Sequence, residues 1–479
     1  MEAYAVNKKV KLGFAPTRRF ITNPKYFNKD AAVAVKNKIE AKIRGYDIEI
    51  VNLDFLNEEG LLFDGADTEK VLRKFREAEV DALFIPHTNF GNEEPSAKLA
   101  RDLGKPTLLW GPRDEMPDAD GARYTDSQCG LFATSKVLKM MRVPFSYITN
   151  CALDDEIFDR GFKNFIGAAS VVKHFRNLRI GQMGTRPGAF WTVKSNETEL
   201  LSKFGIEVVP VTMTEFQIMI KEAKDHPMTV EKSEDFRKRF PNTGFSRDDF
   251  DNLAALYSAF RLWAERNNLS AIAAQCWKPL DLISGVSGCF IFGELTGDLL
   301  PVACESDIHG AISSVMVAAA NLWKEPTFLA DLTIRNPQDD NSELLWHCGV
   351  FPDKLAKPGG KINLGSHQNR LNPGVGLWEL RHDPLTIARF DGVDGEYSML
   401  MGHAQGAPGP FTGGTYVWAK VKDWPLWEHK VIYGPYIHHC VGAYGNFAPV
   451  LFEACRFIPG LTPDPVEPTK EEIEKFLRG

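Results

Sequence analysis

The chain of 479 residues lacks the features of several common protein classes. It has no apolar run that approaches the length of a membrane span, no low-complexity tract and no internal repeat. Lysine and arginine (56) are fewer than aspartate and glutamate (63), giving a net charge of −7. Because recognition of phosphates needs clustered cations, this balance argues against nucleic acid as the main partner. We therefore expect neither a membrane protein nor a nucleic-acid-binding protein.

The few cysteines are not spaced like those of a zinc site or a disulfide-rich protein. The eight cysteines form no Cys-x-x-Cys pair, which argues against both a structural zinc site and a set of disulfides. The opening residues also lack the apolar core of a signal peptide. The sequence thus predicts a cytoplasmic protein with buried thiols.

Motifs for nucleotides and for serine hydrolysis are missing as well. The chain contains no Gly-x-Gly-x-x-Gly, no Walker loop and no Gly-x-Ser-x-Gly elbow, and the run GQMG at residues 181–184 is too short to count. We expect no nucleotide cofactor.

The first 165 residues alternate short apolar runs with amphipathic stretches. Such alternation predicts parallel strands joined by helical crossovers. The predicted strands are residues 10–16, 48–53, 82–86, 107–110 and 145–149, and the predicted helices are residues 29–44, 68–78, 95–103 and 127–141.

A second α/β module restarts near residue 178, with a long helix at 248–267, a strand at 271–276 and a strand-turn-helix at 300–323. After about residue 330, Gly, Pro and aromatic residues become frequent, and alternating runs appear at 385–390 and 415–421. We predict two Rossmann-like, doubly wound α/β domains (1–168 and 169–328), followed by a β-rich, barrel-like C-terminal domain (329–479) that ends in a charged helix.

Four potential metal ligands lie in the last third of the chain, each where an apolar stretch breaks: Glu305, Asp331, His347 and His439. Two carboxylates and two imidazoles can hold a divalent cation and leave coordination positions for a substrate. Glu305 belongs to the run CESDIHG at 304–310, which precedes the small and apolar residues of a predicted buried helix. The alternative is a helix cap made by Ser306 or Asp307.

The other candidates also have ordinary alternatives. A lone Asp after an apolar run is usually a turn residue, and a lone His is usually a hydrogen-bonded core side chain. His438 and His439 follow residues 427–437, which we predict as a strand. Because adjacent side chains of an extended chain point to opposite sides, one of the pair is expected to bind metal, and we favour His439.

Two arginine-bearing loops follow predicted strands. They are GFAPTRR at 13–19, with Arg18 and Arg19, and GTRPG at 184–188, with Arg186. Ligands of open α/β sheets bind beyond the carboxyl ends of strands, so these arginines are candidates for substrate binding. Either loop could equally be a turn with solvated arginines.

The order of these features resembles the L-fucose isomerase and L-arabinose isomerase superfamily of aldose–ketose isomerases. The resemblance covers the two α/β domains, the β-rich domain, a Glu-x-Asp before a helix, a carboxylate 26 residues after Glu305, a histidine 16 residues further on, and a late His-His. The arabinose branch implies Glu305, Asp331, His347 and His439 as ligands. The fucose branch implies one late histidine only, which leaves the role of His347 open.

The resemblance implies an enediol(ate) mechanism in which Glu305 and Asp331 act on a free aldose such as L-fucose, D-arabinose or L-arabinose. Mn²⁺ is the expected metal, with Mg²⁺ or Co²⁺ as substitutes. Asp307 or His438 could move a proton during ring opening. Also implied is a homo-oligomer (trimer, tetramer or hexamer) in which Arg18 or Arg19 reaches a neighbouring site. The alternatives are an isomerase of an anionic or otherwise modified sugar, gripped by Arg18, Arg19 or Arg186, and a non-catalytic sugar-binding protein.

Overall fold

The computed structural model describes residues 8–21, 26–176 and 178–479, so the opening residues of the predicted first domain lie outside it. The described residues form two compact units. The first unit comprises residues 8–173, 453–459 and 471–479, and the second comprises residues 174–452 and 460–470. Most of the predicted first domain belongs to the first unit. The two other predicted domains lie mostly in the second.

The first unit is built on a parallel sheet in the order β2-β1-β3-β4-β5. Strands β3 and β4 are buried at every position, as expected for a sheet covered on both faces. The predicted α/β class is confirmed here. The elements are β1 (Val10–Phe14), α1 (Lys29–Ile43), β2 (Ile48–Val51), α2 (Thr68–Glu77), β3 (Ala82–Pro86), α3 (Glu93–Leu103), β4 (Thr107–Trp110), α4 (Ser127–Met140), β5 (Ser146–Tyr147) and α5 (Glu156–Phe175).

The second unit begins with another parallel sheet, in the order β7-β6-β8-β9. Its strands are separated by helices, as in the first sheet. The elements are β6 (Arg179–Met183), α6 (Glu197–Phe204), β7 (Glu207–Val211), α7 (Met213–Ala223), α8 (Pro227–Arg239), α9 (Arg247–Asn267), β8 (Ala271–Ala274), α10 (Lys278–Ser284), α11 (Cys289–Gly297), β9 (Val302–Cys304) and α12 (Ile308–Ala320).

A closed barrel follows in the same unit, which confirms the predicted β-rich region. Its ring runs β16-β11-β10-β17-β14-β15 and closes because β15 also pairs with β16. The turn between β14 and β15 is Asp394-Gly395, both with positive φ, as a two-residue hairpin loop requires. The elements are β10 (Phe328–Arg335), β11 (Ser342–His347), β12 (Asn363–Ser366), β13 (Pro373–Glu379), β14 (Pro384–Val393), β15 (Glu396–Ala407), β16 (Thr415–Lys420), α13 (Trp424–Tyr433), β17 (His439–Tyr444), α14 (Ala448–Cys455) and β18 (Leu461–Pro465). The last helix, α15 (Lys470–Arg478), belongs to the first unit after its first residue.

Helix α12 joins the two layers of the second unit. It contacts β6, β8 and β9 of the parallel sheet and β10, β14 and β17 of the barrel. Every residue of the helix is buried, which explains its composition of small and apolar side chains. The amino end of α12 therefore lies where the sheet and the barrel meet.

One predicted element is wrong. Residues 427–437, predicted as a strand, are largely covered by helix α13. Asp423 caps this helix by accepting from the Leu426 N–H at 3.3 Å, and Pro425 occupies its first turn, where no backbone donor is needed. The strand that carries a histidine, β17, begins only at His439.

No single helix among the described residues is both long enough and apolar enough to cross a membrane. A bent pair, α10 and α11, satisfies the length and composition criteria together, with an angle of 85° between the helices.

Candidate active site

Three of the predicted ligands meet at the amino end of α12. Glu305 directly follows β9, whose carboxyl end adjoins the barrel strands through α12. Asp331 on β10 pairs directly with His439 on β17 in an antiparallel register. The parallel sheet thus contributes one carboxylate, and the barrel contributes a carboxylate and an imidazole.

The His439 imidazole contacts both carboxylates. His439 Nε2 lies 3.2 Å from Glu305 Oε2 and 3.5 Å from Asp331 Oδ1. Asp331 Oδ1 is buried without a hydrogen-bond partner among the described residues. Neighbouring ligands of one octahedral cation with bonds of about 2.1 Å are about 3 Å apart, so each of these two spacings suits a pair of ligands of a small divalent ion. Oxygen and imidazole donors of this kind suit Mn²⁺ or Mg²⁺.

A hydrogen bond to Asp307 fixes the orientation of His439. Asp307 Oδ2 lies 2.8 Å from Nδ1 of the imidazole, and the ring is 1% exposed. Burial alone would lower the pKa of His439, but its hydrogen bonds to Asp307 and Glu305 outweigh burial and raise the pKa to about 10. Without a cation, a proton on Nε2 is what keeps two carboxylates close together.

Glu305 is itself held in place. Trp277, which follows β8, donates its indole N–H to Glu305 Oε1 at 3.3 Å. Burial opposes ionisation of Glu305, but the hydrogen bond with His439 and the nearby imidazoles keep its pKa below the usual value. Glu305 and Ser306 both have positive φ (64° and 57°), a conformation that non-glycine residues rarely adopt and that concentrates at functional sites.

Asp307 does not fit the predicted role in substrate binding or proton transfer. It is 0% exposed, and Arg389 on β14 donates to both of its oxygens, at 2.5 and 3.0 Å. Its Oδ1 also accepts from the Gly310 N–H at 2.9 Å and so caps α12, which was the alternative considered from the sequence. Asp307 therefore both caps the helix and orients His439.

The two remaining histidine candidates differ. His347 Nδ1 accepts from the Cys348 N–H at 2.9 Å, so the neutral ring carries its proton on Nε2, which has no partner among the described residues. A role for His347 as a metal ligand stays a prediction. His438 is exposed, but it can place a ligand atom within 4.8 Å of atoms on both Asp331 and His439. Asp331, His438 and His439 are thus a group whose ligand atoms all lie within 4.8 Å of one another, and Glu305 adds a contact of 3.2 Å to His439 Nε2.

Arg186 lies in the loop after β6, beside the loops that follow β8 and β9 in the same sheet. Gly184 begins this loop with φ +71°, where an added Cβ would meet Gln275 Oε1 at 2.5 Å. Aromatic contacts connect the loop to Glu305: the Phe190 ring lies 5.4 Å from that of Trp277, the donor to Glu305.

The two arginines of the first unit have partners there. Arg18 is buried and forms a bidentate ion pair with Glu59, at 2.5 and 2.8 Å. Arg19 pairs with Glu93 and donates to the Gly91 carbonyl oxygen at 2.9 Å. Both arginines are thus fixed within their own unit.

Sequence reasoning missed four residues that the structure places around the site. Trp277 contacts Glu305 directly, and Arg389 contacts Asp307, which in turn contacts His439. Arg370 donates to the carbonyl oxygen of Cys276, the residue before Trp277, at 2.5 Å, and His367 lies near Arg370 and His347. A tryptophan directly after a sheet strand was the one available signal, because that position adjoins the ligand-binding edge.

Comparison with known proteins gives a consistent family. A model described as "Fucose/sulfoquinovose isomerase, N-terminal domain" matches residues 20–176. The curated sulfoquinovose isomerase of Priestia aryabhattai is 25% identical over 384 residues, which cover 79% of this chain and 84% of the relative. These similarities support the fucose isomerase-like superfamily for this chain.

Two further superfamily members extend this match. The sulfoquinovose isomerase of Alkalicoccus urumqiensis is 27% identical over 339 residues (70% of this chain, 75% of the relative). That of Clostridium sp. (strain MSTE9) is 26% identical over 346 residues, with the same coverage. The superfamily and these matches together identify the chain as an aldose–ketose isomerase.

Proposed function

We propose that this aldose–ketose isomerase acts on a free aldose with an anionic substituent, with Glu305, Asp331 and His439 holding a catalytic divalent cation. One observation carries the proposal: His439 Nε2 faces an oxygen of each carboxylate at 3.2 and 3.5 Å while Asp307 holds Nδ1 from behind. A bound cation, with Mn²⁺ our first choice, would supply an electrophile for the sugar oxygens at C1 and C2.

Proton transfer falls to the two carboxylates. Isomerisation removes a proton from one carbon and delivers one to its neighbour. The lowered pKa of Glu305 keeps it ionised at neutral pH, so it can accept a proton. Asp331 Oδ1 has no hydrogen-bond partner among the described residues, although it lies 3.5 Å from His439 Nε2, and we assign the second transfer to Asp331. His438 is exposed beside Asp331 and His439 and can exchange hydrogen bonds with sugar hydroxyls.

An anionic substrate is favoured over the neutral sugars expected first, because the similar curated proteins are named as sulfoquinovose isomerases. Sulfoquinovose is a glucose with a sulfonate on C6. Arg186 is our candidate for holding such an anion. Its Nη1 donates to the carbonyl oxygens of Pro187 (3.1 Å) and Gly188 (2.8 Å), and its guanidinium lies over the Trp191 ring at 5.1 Å. Lys194 lies over the same ring at 5.2 Å, which adds a second cation.

The test of substrate class is a panel of free aldoses with added Mn²⁺. We expect kcat/KM for sulfoquinovose to exceed that for L-fucose, D-arabinose and L-arabinose by at least about tenfold, because a charge-assisted hydrogen bond to the anion is worth more than a neutral one. A neutral pentose or deoxyhexose as the best substrate would refute the anionic class while leaving the isomerase intact.

The test of Arg186 uses Arg179, at the other end of β6, as a matched control. Arg186 follows the carboxyl end of β6, whereas Arg179 lies at its amino end and pairs with Glu207. Arg186→Gln should raise KM for the anionic sugar by about tenfold or more and leave KM for a neutral analogue unchanged, and Arg179→Gln should change neither. Equal effects of the two variants would remove Arg186 from the site.

We also propose a homo-oligomer in which Arg18 or Arg19 of one chain approaches the sugar of another. The superfamily resemblance supports this arrangement.

A further inference from the structure

A chain of buried charged side chains extends from His439 into the wall of the barrel. It passes through Asp307, Arg389 and Asp391 and ends at His309; we call these five residues the Arg389 network. Arg389 Nε donates to Asp391 Oδ2 at 2.9 Å, and Asp391 Oδ1 lies 2.8 Å from His309 Nδ1. Each member is at most 4% exposed.

Arg389 contacts both carboxylates with a planar fork. Nη1 and Nη2 contact the two oxygens of Asp307, so the guanidinium and that carboxylate share a plane. Nε fixes the guanidinium from the other side through Asp391, whose Oδ1 also accepts from the Gly392 N–H at 2.9 Å. The plane of the Asp307 carboxylate is therefore fixed, and in that plane Oδ2 points to His439 Nδ1.

The charges explain why an arginine is needed at a buried barrel position. Two ionised carboxylates in the core would be strongly unfavourable without a shared cation. Arg389 supplies that cation: it donates to both oxygens of Asp307 and to Oδ2 of Asp391. Oδ2 of Asp307 accepts from Arg389 and also lies 2.8 Å from Nδ1 of His439, which leaves Nε2 to face Glu305 and Asp331.

We propose that Arg389 is a positioning residue for the active site: through Asp307 it holds His439 in the orientation that presents Nε2 to the cation, and Asp391 with His309 braces it from behind. The inference rests on the proposed metal-dependent function. In this proposal, the orientation of the His439 ring depends on a residue that contacts neither the metal nor the sugar.

Arg389→Lys tests the proposal, because lysine keeps the charge but lacks the fork. Arg239→Lys is the matched control: Arg239 is also bidentate, to Glu294 at 2.9 and 3.0 Å, and belongs to the same unit, but its other partners are Asp235 and Asp353. Free Mn²⁺ would be titrated by electron paramagnetic resonance into the metal-free full-length variants. Thermal unfolding of the same samples would report stability.

Loss of an outer-shell partner typically weakens metal binding by about 10–100-fold, so Arg389→Lys should lose at least about tenfold in Mn²⁺ affinity. Arg239→Lys should bind Mn²⁺ like the wild type, whatever its melting temperature. Asp391→Asn preserves the shape of the network while removing one charge, and it should fold and show a smaller loss of at least about threefold.

Several outcomes would overturn the inference. They are Mn²⁺ affinity within twofold of the wild type in folded Arg389→Lys, equal losses in Arg389→Lys and Arg239→Lys, and failure of both Arg389→Lys and Asp391→Asn to fold, which would assign the network to stability alone. The variant Glu305→Gln distinguishes a failure of this inference from a failure of the proposed metal site. If the wild type binds no Mn²⁺, or binds it equally well after Glu305→Gln, the metal site itself is wrong.

Discussion

Raising the pH from 6 to 8 is expected to raise the affinity of the metal-free protein for Mn²⁺ by about a hundredfold. The reason is the proton on His439. Although burial favours the neutral ring, hydrogen bonds to Asp307 (2.8 Å) and Glu305 (3.2 Å) raise its pKa to about 10. A cation can bind Nε2 only after that proton leaves. Each pH unit below about 10 therefore weakens binding by about tenfold.

The other ligands add little to this dependence. Glu305 has a lowered pKa and is already ionised across the range, so one proton is released for each ion bound. The stability of the metal-free fold depends on pH in the opposite direction from the metal affinity. Because folding raises the pKa of His439, its stabilising effect is fully present below about pH 6.5 and is lost as the pH rises through about 10.

The assay is a titration of free Mn²⁺, followed by electron paramagnetic resonance, at pH 6, 7 and 8 and constant ionic strength. The logarithm of the affinity should rise by about one per pH unit in the wild type. His439→Gln should bind weakly and show a nearly flat profile. A slope below about 0.3 in the wild type would refute the reasoning, because it would mean that no proton is displaced from the imidazole.

Three further predictions concern carboxylates and the subunit boundary. Glu305→Gln and Asp331→Asn should each lower kcat by at least about a hundredfold at an unchanged melting temperature; more than a tenth of wild-type activity would exclude an acid–base role. Glu343→Gln should keep activity and stabilise the fold by about 2 kcal/mol in urea unfolding above pH 7, because burial raises the pKa of Glu343 to about 7; an equal gain at pH 4 would contradict this cause. Mixing Arg19→Ala with Glu305→Gln under demonstrated subunit exchange should regenerate activity; its absence would exclude shared sites.

Local structure followed from sequence where the apolar pattern was unambiguous. Strands β3 and β4 have the predicted bounds, because four or five consecutive apolar residues between turn residues fit only a strand covered on both faces. The prediction failed at residues 427–437, where Asp423 and Pro425 begin a helix. The capping signal preceded the aromatic run that was interpreted as a strand.

Some residues of the candidate site were likewise predictable from the sequence, and others were not. Glu305, Asp331 and His439 were found because each ends or interrupts an apolar stretch in the order of a known superfamily. Arg389 was not, since an arginine in an alternating strand normally faces solvent. Its burial depends on α12 packing against β14, and a contact between elements so far apart in sequence has no local signal.

The central claim, that Glu305 and Asp331 move protons between C1 and C2 of a sugar, is tested most directly by isotope exchange. Wild-type protein loaded with Mn²⁺ would convert sulfoquinovose in D₂O, and the ketose would be analysed by nuclear magnetic resonance. Deuterium is expected at C1 of the product, because a carboxylate that removes the C2 proton exchanges it with solvent before returning one. Ketose that forms with no deuterium at C1, and recovered aldose with none at C2, would contradict it, since the hydrogen would then pass directly between the carbons without either carboxylate.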